Sequence, residues 1–221
     1  MKKFESILLC TDLDGTLADT VPAITEAVNM ALNTLGFPAR TEEEIRTFIG
    51  RGPRHLISEA LPKNQKDEDP SLIDRALTLY DKAYAETYMH TDKMYDGMLE
   101  AILELSKYYR IAILSNKQDE YVKALADQLL PAGIYEIACG TLNGVPAKPE
   151  PHTALKLAEQ LGVSPHDCML IGDSEIDIIT AENAEFDILS VSWGYCSKNK
   201  LIFKGAQDIV NTPEELLEYF K

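Results

Sequence analysis

Ile7-Leu8-Leu9-Cys10-Thr11-Asp12-Leu13-Asp14-Gly15-Thr16 is the stretch on which the reading of the fold turns. Its first four residues are apolar, too few for a helix, and a polar turn containing glycine follows at once, which is the pattern of a buried strand with polar residues at its carboxyl end. The same pattern recurs downstream. Ile111-Ala112-Ile113-Leu114 runs into Ser115-Asn116, Cys168-Met169-Leu170-Ile171 into Gly172-Asp173, and Ile188-Leu189-Ser190-Val191 into Trp193-Gly194. Between these runs lie helical patterns, with apolar residues at Leu99, Ile102, Leu103 and Leu105 within Met98 to Tyr108, and at Leu155, Leu157, Ala158 and Leu161 within Thr153 to Leu161. Strands alternating with helices predict an α/β fold built on a doubly wound, Rossmann-like parallel sheet covered on both faces. Ligands of such sheets bind beyond the carboxyl ends of the strands, where the polar residues above would converge.

The alternation is broken from about Leu17 to Lys93, where the patterns are helical. Pro22 suits the first turn of a helix through Leu35, and Gly36 and Pro38 end it. Thr41-Glu42-Glu43-Glu44 is a capping-box pattern and starts a second helix. A third follows Pro53, and a longer one runs from Ser71 towards His90. Lys63 to Pro70, polar and charged, reads as an exposed loop. The predicted organisation is therefore a core of residues 1–17 and 94–221, with a small helical bundle of residues 18–93 inserted into it and re-entry near Tyr95-Asp96-Gly97.

Asp12 and Asp14 stand two apart at the end of a strand, so an extended backbone points both carboxylates to one face, where one can attack and the other can move a proton. The Thr16 hydroxyl can brace the turn. Asp-x-Asp-Gly also occurs in calcium loops and plain turns, but Leu17 to Val21 lacks the further oxygen ligands of an EF-hand. Ser115 and Asn116 offer a hydroxyl and an amide to phosphate oxygens, although Ser-Asn is equally a helix cap. Lys148 lies in the proline-stiffened segment Ala147-Lys148-Pro149-Glu150-Pro151. Asp173 and Asp177 open a helix, where carboxylates also complement the dipole. The Asp12, Ser115 and Asp173 segments fall at carboxyl ends of predicted strands, and that coincidence favours a site.

The formal net charge of −15 argues against nucleic-acid backbones and anionic membranes as partners. The expected partner is a small phosphorylated metabolite, met by a local positive site on a monomer or homodimer. Cys10, Cys139, Cys168 and Cys196 form no Cys-x-x-Cys pair, and no metal-ligand spacing links the four histidines, so neither a zinc site nor a disulfide scaffold is expected. No apolar segment approaches the roughly 20 residues that span a bilayer, and the start runs into a strand pattern rather than a signal-peptide core, so the expected location is cytoplasmic.

Asp12-Leu13-Asp14-Gly15-Thr16-Leu17, Ser115-Asn116, Lys148-Pro149 and Gly172-Asp173-Ser174-x-x-Asp177 resemble, in order and spacing, the four motifs of the haloacid dehalogenase-like hydrolase superfamily. The pattern is most similar to phosphoglycolate phosphatases, whose helical cap the insert resembles. Gly50-Arg51-Gly52-Pro53-Arg54 looks like the segment those caps present to the active site, making Arg51 and Arg54 candidates for recognising an anionic substrate.

The resemblance implies an Mg²⁺-dependent phosphatase for small phosphate monoesters. Asp12 would be the nucleophile that becomes an aspartyl phosphate, and Asp14 the acid that protonates the leaving group and then the base for water. Lys148 and Ser115, assisted by Asn116, would hold phosphate oxygens. Asp12, the Asp14 backbone carbonyl and Asp173 would bind the metal. Asp177 would position Lys148 or a metal-bound water, and Thr16 would support the turn. Within the family, Asp14 speaks against dehalogenation, the absence of lysine from Arg40 to Leu61 against phosphonate cleavage, and Gly172 before Asp173 against a mutase. Pyrophosphate, nucleotides and sugar phosphates stay open as substrates. A binding protein that kept only the fold is the alternative of another class.

Overall fold

The computed structural model describes residues 7–69, 71–90 and 93–221, and of residue 68 the backbone only. In chain order the elements are β1 (Leu8–Thr11), α1 (Val21–Thr34), α2 (Glu42–Phe48), α3 (Pro53–Ala60), α4 (Lys63–Glu68), α5 (Leu72–Thr87), α6 (Met98–Leu105), β2 (Arg110–Gln118) and α7 (Asp119–Leu129). There follow β3 (Ile137–Thr141), α8 (His152–Leu161), β4 (Cys168–Gly172), α9 (Glu175–Ala184), β5 (Asp187–Val191), α10 (Lys198–Phe203), β6 (Ile209–Val210) and α11 (Pro213–Tyr219). Two compact units emerge, one of Met1–Asp19 with Lys93–Lys221 and one of Thr20–Asp92.

The first unit is a parallel sheet in the order β3-β2-β1-β4-β5-β6. Leu8 and Cys10 point to one face and Leu9 to the other, and all are buried, because helices cover both sides. On one face Leu8, Cys10, Ala112, Leu114 and Leu170 pack against Ala154, Leu157 and Ala158 of α8 and Ala181 and Ala184 of α9. The chain builds outward from β1 through β2 to β3, then crosses to β4 on the other side of β1. That reversal is the topological switch point, and the crevice beyond the ends of β1 and β4 is where α/β sheets place ligands. Asp12 follows β1 and Asp173 follows β4 directly. Ala18 forms an antiparallel bridge with Met94, and the Tyr95 N–H donates to the Leu17 carbonyl at 3.1 Å.

The second unit is helical. Val21, Ile24, Val28, Ala31 and Leu32 form the buried stripe of α1, which packs along α5. Pro22 occupies its first turn, and its last turn closes at Leu35. At α2 the Thr41 hydroxyl accepts from the Glu44 N–H at 3.2 Å while Glu44 accepts from the Thr41 N–H at 2.9 Å, the capping box the sequence predicts. Across the bundle the Thr87 hydroxyl donates to the Ala23 carbonyl at 3.1 Å.

Three features differ from the sequence expectation. Lys63–Glu68 is a short helix rather than a loop, with Pro62 at its N-cap; Lys-Asn-Gln-Lys-Asp-Glu contains no breaker and is polar all round, so it shows no period. Pro70, at the end of that expected loop, lies outside the described residues. The strands β3 and β6 carry no continuous apolar run because they are the edges of the sheet. The strand β2 continues through Ser115-Asn116-Lys117, so Ser115 caps no helix and α7 begins only at Asp119.

No helix among the described residues is long and apolar enough to cross a membrane. Cys10, Cys168 and Cys196 are buried and Cys139 is half-buried, none of them in a disulfide.

Candidate active site

The site grows from the end of β1. The Asp12 N–H donates to the Ile171 carbonyl of β4 at 2.9 Å, which continues the ladder by one residue and fixes where the side chain starts. One carboxylate oxygen of Asp12 accepts from the Leu13 N–H at 2.7 Å, and the other lies 3.1 Å from Lys148 Nζ. Gly15, at φ +83°, then turns the chain back, and a Cβ there would lie 2.5 Å from Asp173 Oδ2, so only glycine lets this turn lie against that carboxylate.

Lys148 is buried, and its ammonium bridges Asp12 and Asp177 Oδ1, the latter at 2.6 Å. Asn116 fixes the lysine by its backbone: the amide nitrogen donates to the Lys148 carbonyl and the amide oxygen accepts from the Lys148 N–H, both at 2.8 Å. The sequence reading has Asn116 assist in holding phosphate oxygens directly. Its amide grips the Lys148 backbone from both sides. The Ser115 hydroxyl is buried at the same strand end, 3.4 Å from the Lys117 N–H that donates to it.

Asp177 does two things. Its Oδ1 meets Lys148, and its Oδ2 accepts from the Ser174 N–H at 3.1 Å and from the Ser174 hydroxyl at 2.6 Å, completing a capping box at the start of α9. One carboxylate thus caps the helix and meets the Lys148 ammonium. Gly172 makes room for it, since a Cβ there would lie 2.3 Å from the Asp177 carboxyl carbon.

Asp173 accepts from the Thr16 hydroxyl at 3.2 Å and from the Tyr195 N–H at 2.6 Å. Trp193 Nε1 donates to the Thr16 carbonyl at 3.0 Å. Residues 193–195, beyond β5, thus brace the β1 turn and Asp173 together. The sequence reading gives them no role, although Trp193-Gly194 stands where the other polar strand ends stand. Lys117 is the other omission: its ammonium lies 2.9 Å from Asp14 Oδ1.

Oxygens of Asp12, Asp173 and Asp177 all lie within 4.8 Å of one another, and the three residues are buried. Burial pushes the Asp12 carboxyl up to about 6 against the opposing pull of Lys148. Burial, then the neighbouring Asp177 and Asp12, push Asp173 up to about 8. Burial pulls the Lys148 ammonium down, but Asp12 and Asp177 more than offset it and hold its pKa above the ordinary lysine range. Four carboxylates, Asp12, Asp14, Asp173 and Asp177, face two ammonium groups, so fully ionised the cluster carries two excess negative charges. That excess suits a divalent cation held by oxygen. Asp12, Asp173 and Asp177 are the buried carboxylates grouped closely enough to offer oxygens to one ion.

Arg51 and Arg54 lie in the helical unit, Arg51 exposed just before α3 and Arg54 on it, where its guanidinium meets Asp74 Oδ1 at 2.6 Å.

The fold and this cluster define a class, parallel α/β proteins with an acidic, lysine-bridged centre at the switch point of the sheet. A family model described as haloacid dehalogenase-like hydrolase matches residues 10–191, and the chain belongs to that family. It is similar to the phosphoglycolate phosphatase of Nitrosococcus oceani, with 32% identity over 197 residues covering 88% of this chain and 87% of the relative. Against that of Colwellia psychrerythraea the identity is 31% over 221 residues, covering 98% of each. Among solved structures, one from Lactobacillus delbrueckii subsp. bulgaricus, of a protein assigned provisionally as a phosphoglycolate phosphatase, superposes with a TM-score of 0.86 at 31% identity, covering 100% of this chain and 99% of its own.

Proposed function

We propose that this protein is an Mg²⁺-dependent phosphatase that hydrolyses small phosphate monoesters through an aspartyl phosphate on Asp12, with phosphoglycolate as the leading substrate. The observation that carries the chemistry is the buried Asp12 carboxylate 3.1 Å from the Lys148 ammonium, with Asp14 two residues on. The names of the relatives support the substrate.

Phosphate monoesters resist attack because an anionic nucleophile must approach an anionic phosphorus, so charge neutralisation and alignment supply most of the catalysis. In the first step the Asp12 carboxylate forms a bond to phosphorus as the bond to the leaving oxygen breaks, and the Asp14 carboxyl gives that oxygen its proton. In the second, Asp14 takes a proton from water, whose oxygen bonds to phosphorus and releases inorganic phosphate with the Asp12 carboxylate. Lys148 neutralises phosphate oxygens throughout, and the Ser115 hydroxyl donates to another. Asp12 and Asp173, with the Asp14 backbone carbonyl, would hold Mg²⁺, which when bound supplies positive charge to the nucleophile and the transferring group.

Phosphate release from p-nitrophenyl phosphate and from phosphoglycolate, dependent on Mg²⁺ and lost with chelator, tests the reading. No turnover across phosphoglycolate, pyrophosphate, nucleotides and sugar phosphates would leave a binding protein instead.

Metal addition also has a stability signature. Asp12 and Asp173 have pKa values raised above their unfolded ones, so between about pH 4 and pH 8 these two groups bind more protons in the metal-free folded state than in the unfolded chain, and their contribution to stability falls as pH rises. A cation between them removes that penalty. Mg²⁺ is therefore expected to raise the melting temperature by on the order of 5 °C more at pH 8 than at pH 5. An equal rise at both pH values would contradict the site.

Gly194 gives a steric test. A Cβ there would lie 2.2 Å from the Gly15 carbonyl oxygen and 2.4 Å from Asp173 Oδ2, so Gly194→Ala must displace the turn or the carboxylate. The expected result is a loss of about 10²-fold in kcat/KM with a raised Mg²⁺ requirement, because small misplacements at a reacting centre cost about that much. Wild-type Mg²⁺ dependence in this variant would count against Asp173 as a ligand.

The proposal extends to the helical unit as a substrate-selecting cap, with Arg51 and Arg54 meeting an anionic leaving group. Arg51→Ala is expected to raise KM for phosphoglycolate about ten-fold while leaving p-nitrophenyl phosphate within two-fold, the scale of one charged contact. Equal effects on both esters would remove the recognition role.

A further inference from the structure

Two buried ammonium groups lie in the acidic cluster, and the mechanism above uses only Lys148. The other, Lys117 Nζ, is 2.9 Å from Asp14 Oδ1, with the two side chains only 5% and 11% exposed. A lysine buried to this degree needs a charged or hydrogen-bonding partner, and one that meets a carboxylate restricts that carboxylate in turn.

The sheet is shaped to deliver this lysine. Leu114 pairs with Cys139, but the next pairing is Gln118 with Thr141, so four steps along β2 oppose two along β3. Strict alternation would send Asn116 to the opposite face from Ser115 and Lys117. With the irregularity, all three are buried at the strand end: the Ser115 hydroxyl sits against the Lys117 N–H, Asn116 grips Lys148, and Lys117 reaches Asp14. The edge strand β3 secures it. Thr141 Oγ1 donates to the Lys117 carbonyl at 3.3 Å, and a Cβ on Gly140 would lie 2.5 Å from that same carbonyl oxygen, so glycine is what lets β3 close on the displaced backbone.

We propose that Lys117 is a positioning residue that holds the Asp14 carboxyl at the angle from which it serves first the leaving oxygen and then the attacking water. The inference rests on the reading of Asp14 as the acid and base. It assigns Lys117 no contact with the substrate and no place in the Lys148 bridge.

The test compares kcat/KM for p-nitrophenyl phosphate, whose nitrophenolate departs without a proton, with that for an alkyl ester whose leaving group carries no charge of its own, such as propyl phosphate, whose alkoxide requires one. Lys117→Met is expected to lower kcat/KM about 10²-fold on the alkyl ester and less than about ten-fold on the aryl ester, since acid catalysis is worth about 10²–10⁴-fold. Lys117→Arg should recover most of the alkyl activity. In an Asp14→Asn background, Lys117→Met should add less than about three-fold to the loss. Equal losses on both esters with an unchanged melting curve, or full additivity with Asp14→Asn, overturns the proposal. A KM increase confined to carboxylate-bearing esters overturns it too, by making Lys117 a substrate contact. Should Lys117→Met fail to fold, Lys117→Gln, which keeps a donor without the charge, is read by the same criteria. If Asp14→Asn alone spares neither ester, the role given to Asp14 fails, while additivity still decides whether Lys117 acts through it.

Discussion

Asp12→Asn is expected to reduce phosphate release from p-nitrophenyl phosphate by at least about 10³-fold while the protein stays folded. The amide has nearly the shape of the carboxylate and still accepts from the Leu13 N–H, so the turn after β1 keeps its geometry. Lys148 loses one of two charged partners but retains Asp177 at 2.6 Å. The neutral side chain should even ease the fold near pH 7, because burial already pushes the Asp12 carboxyl up to about 6 and its ionised form is held against that cost. What the amide lacks is the oxygen nucleophile. Wild-type protein mixed with substrate and quenched with borohydride should be trapped at Asp12, and the variant should not. Activity within ten-fold of wild type would place the nucleophile elsewhere.

Lys148→Met is expected to cost about 10³-fold in kcat/KM, the scale on which fixed charge stabilises a transferring phosphoryl group. Here the fold should also suffer. The ammonium is what separates the buried Asp12 and Asp177 carboxylates electrostatically, and removing one partner of a buried ion pair costs about 3–5 kcal/mol. The sign of the pH dependence distinguishes this from simple loss of packing. Without the lysine the carboxylates bind protons more readily in the folded state, so the variant should regain stability as pH falls from 8 to 5. A melting temperature that dropped equally at both pH values would point to lost packing alone. Lys148→Arg tests geometry separately from charge, because a planar guanidinium keeps the charge but presents it as a rigid fork rather than a compact ammonium.

The strands that form the centre of the sheet were legible because burial on both faces demands continuous apolar runs, and β1, β2, β4 and β5 have them. The edge strands β3 and β6 face that demand only in part, and their residues carry no comparable pattern. Helix boundaries in the insert were readable where side chains satisfy exposed backbone groups, as at Pro22 and in the Thr41 to Glu44 box. The helix α4 buries little and declared nothing. In the acidic cluster, the ends of four strands were visible as polar residues after apolar runs. Which partner each residue takes was not. Asn116 gripping a backbone 32 residues away, on the same end as Ser115 and Lys117, goes with β2 and β3 being out of step, a property of two strands that neither shows alone.

The bridge between Ala18 and Met94 bears on how such a protein can change. Those residues are the places where the chain leaves the catalytic unit and comes back, and paired residues on antiparallel strands lie only about 5 Å apart. Everything between them is, to the sheet, a single excursion whose two ends meet at a fixed gate. A different segment that spans the same gap would leave the order of the strands as it is. With the helical unit as the proposed selector of substrate, substrate choice would diverge by replacing that cassette while the reaction is inherited unchanged.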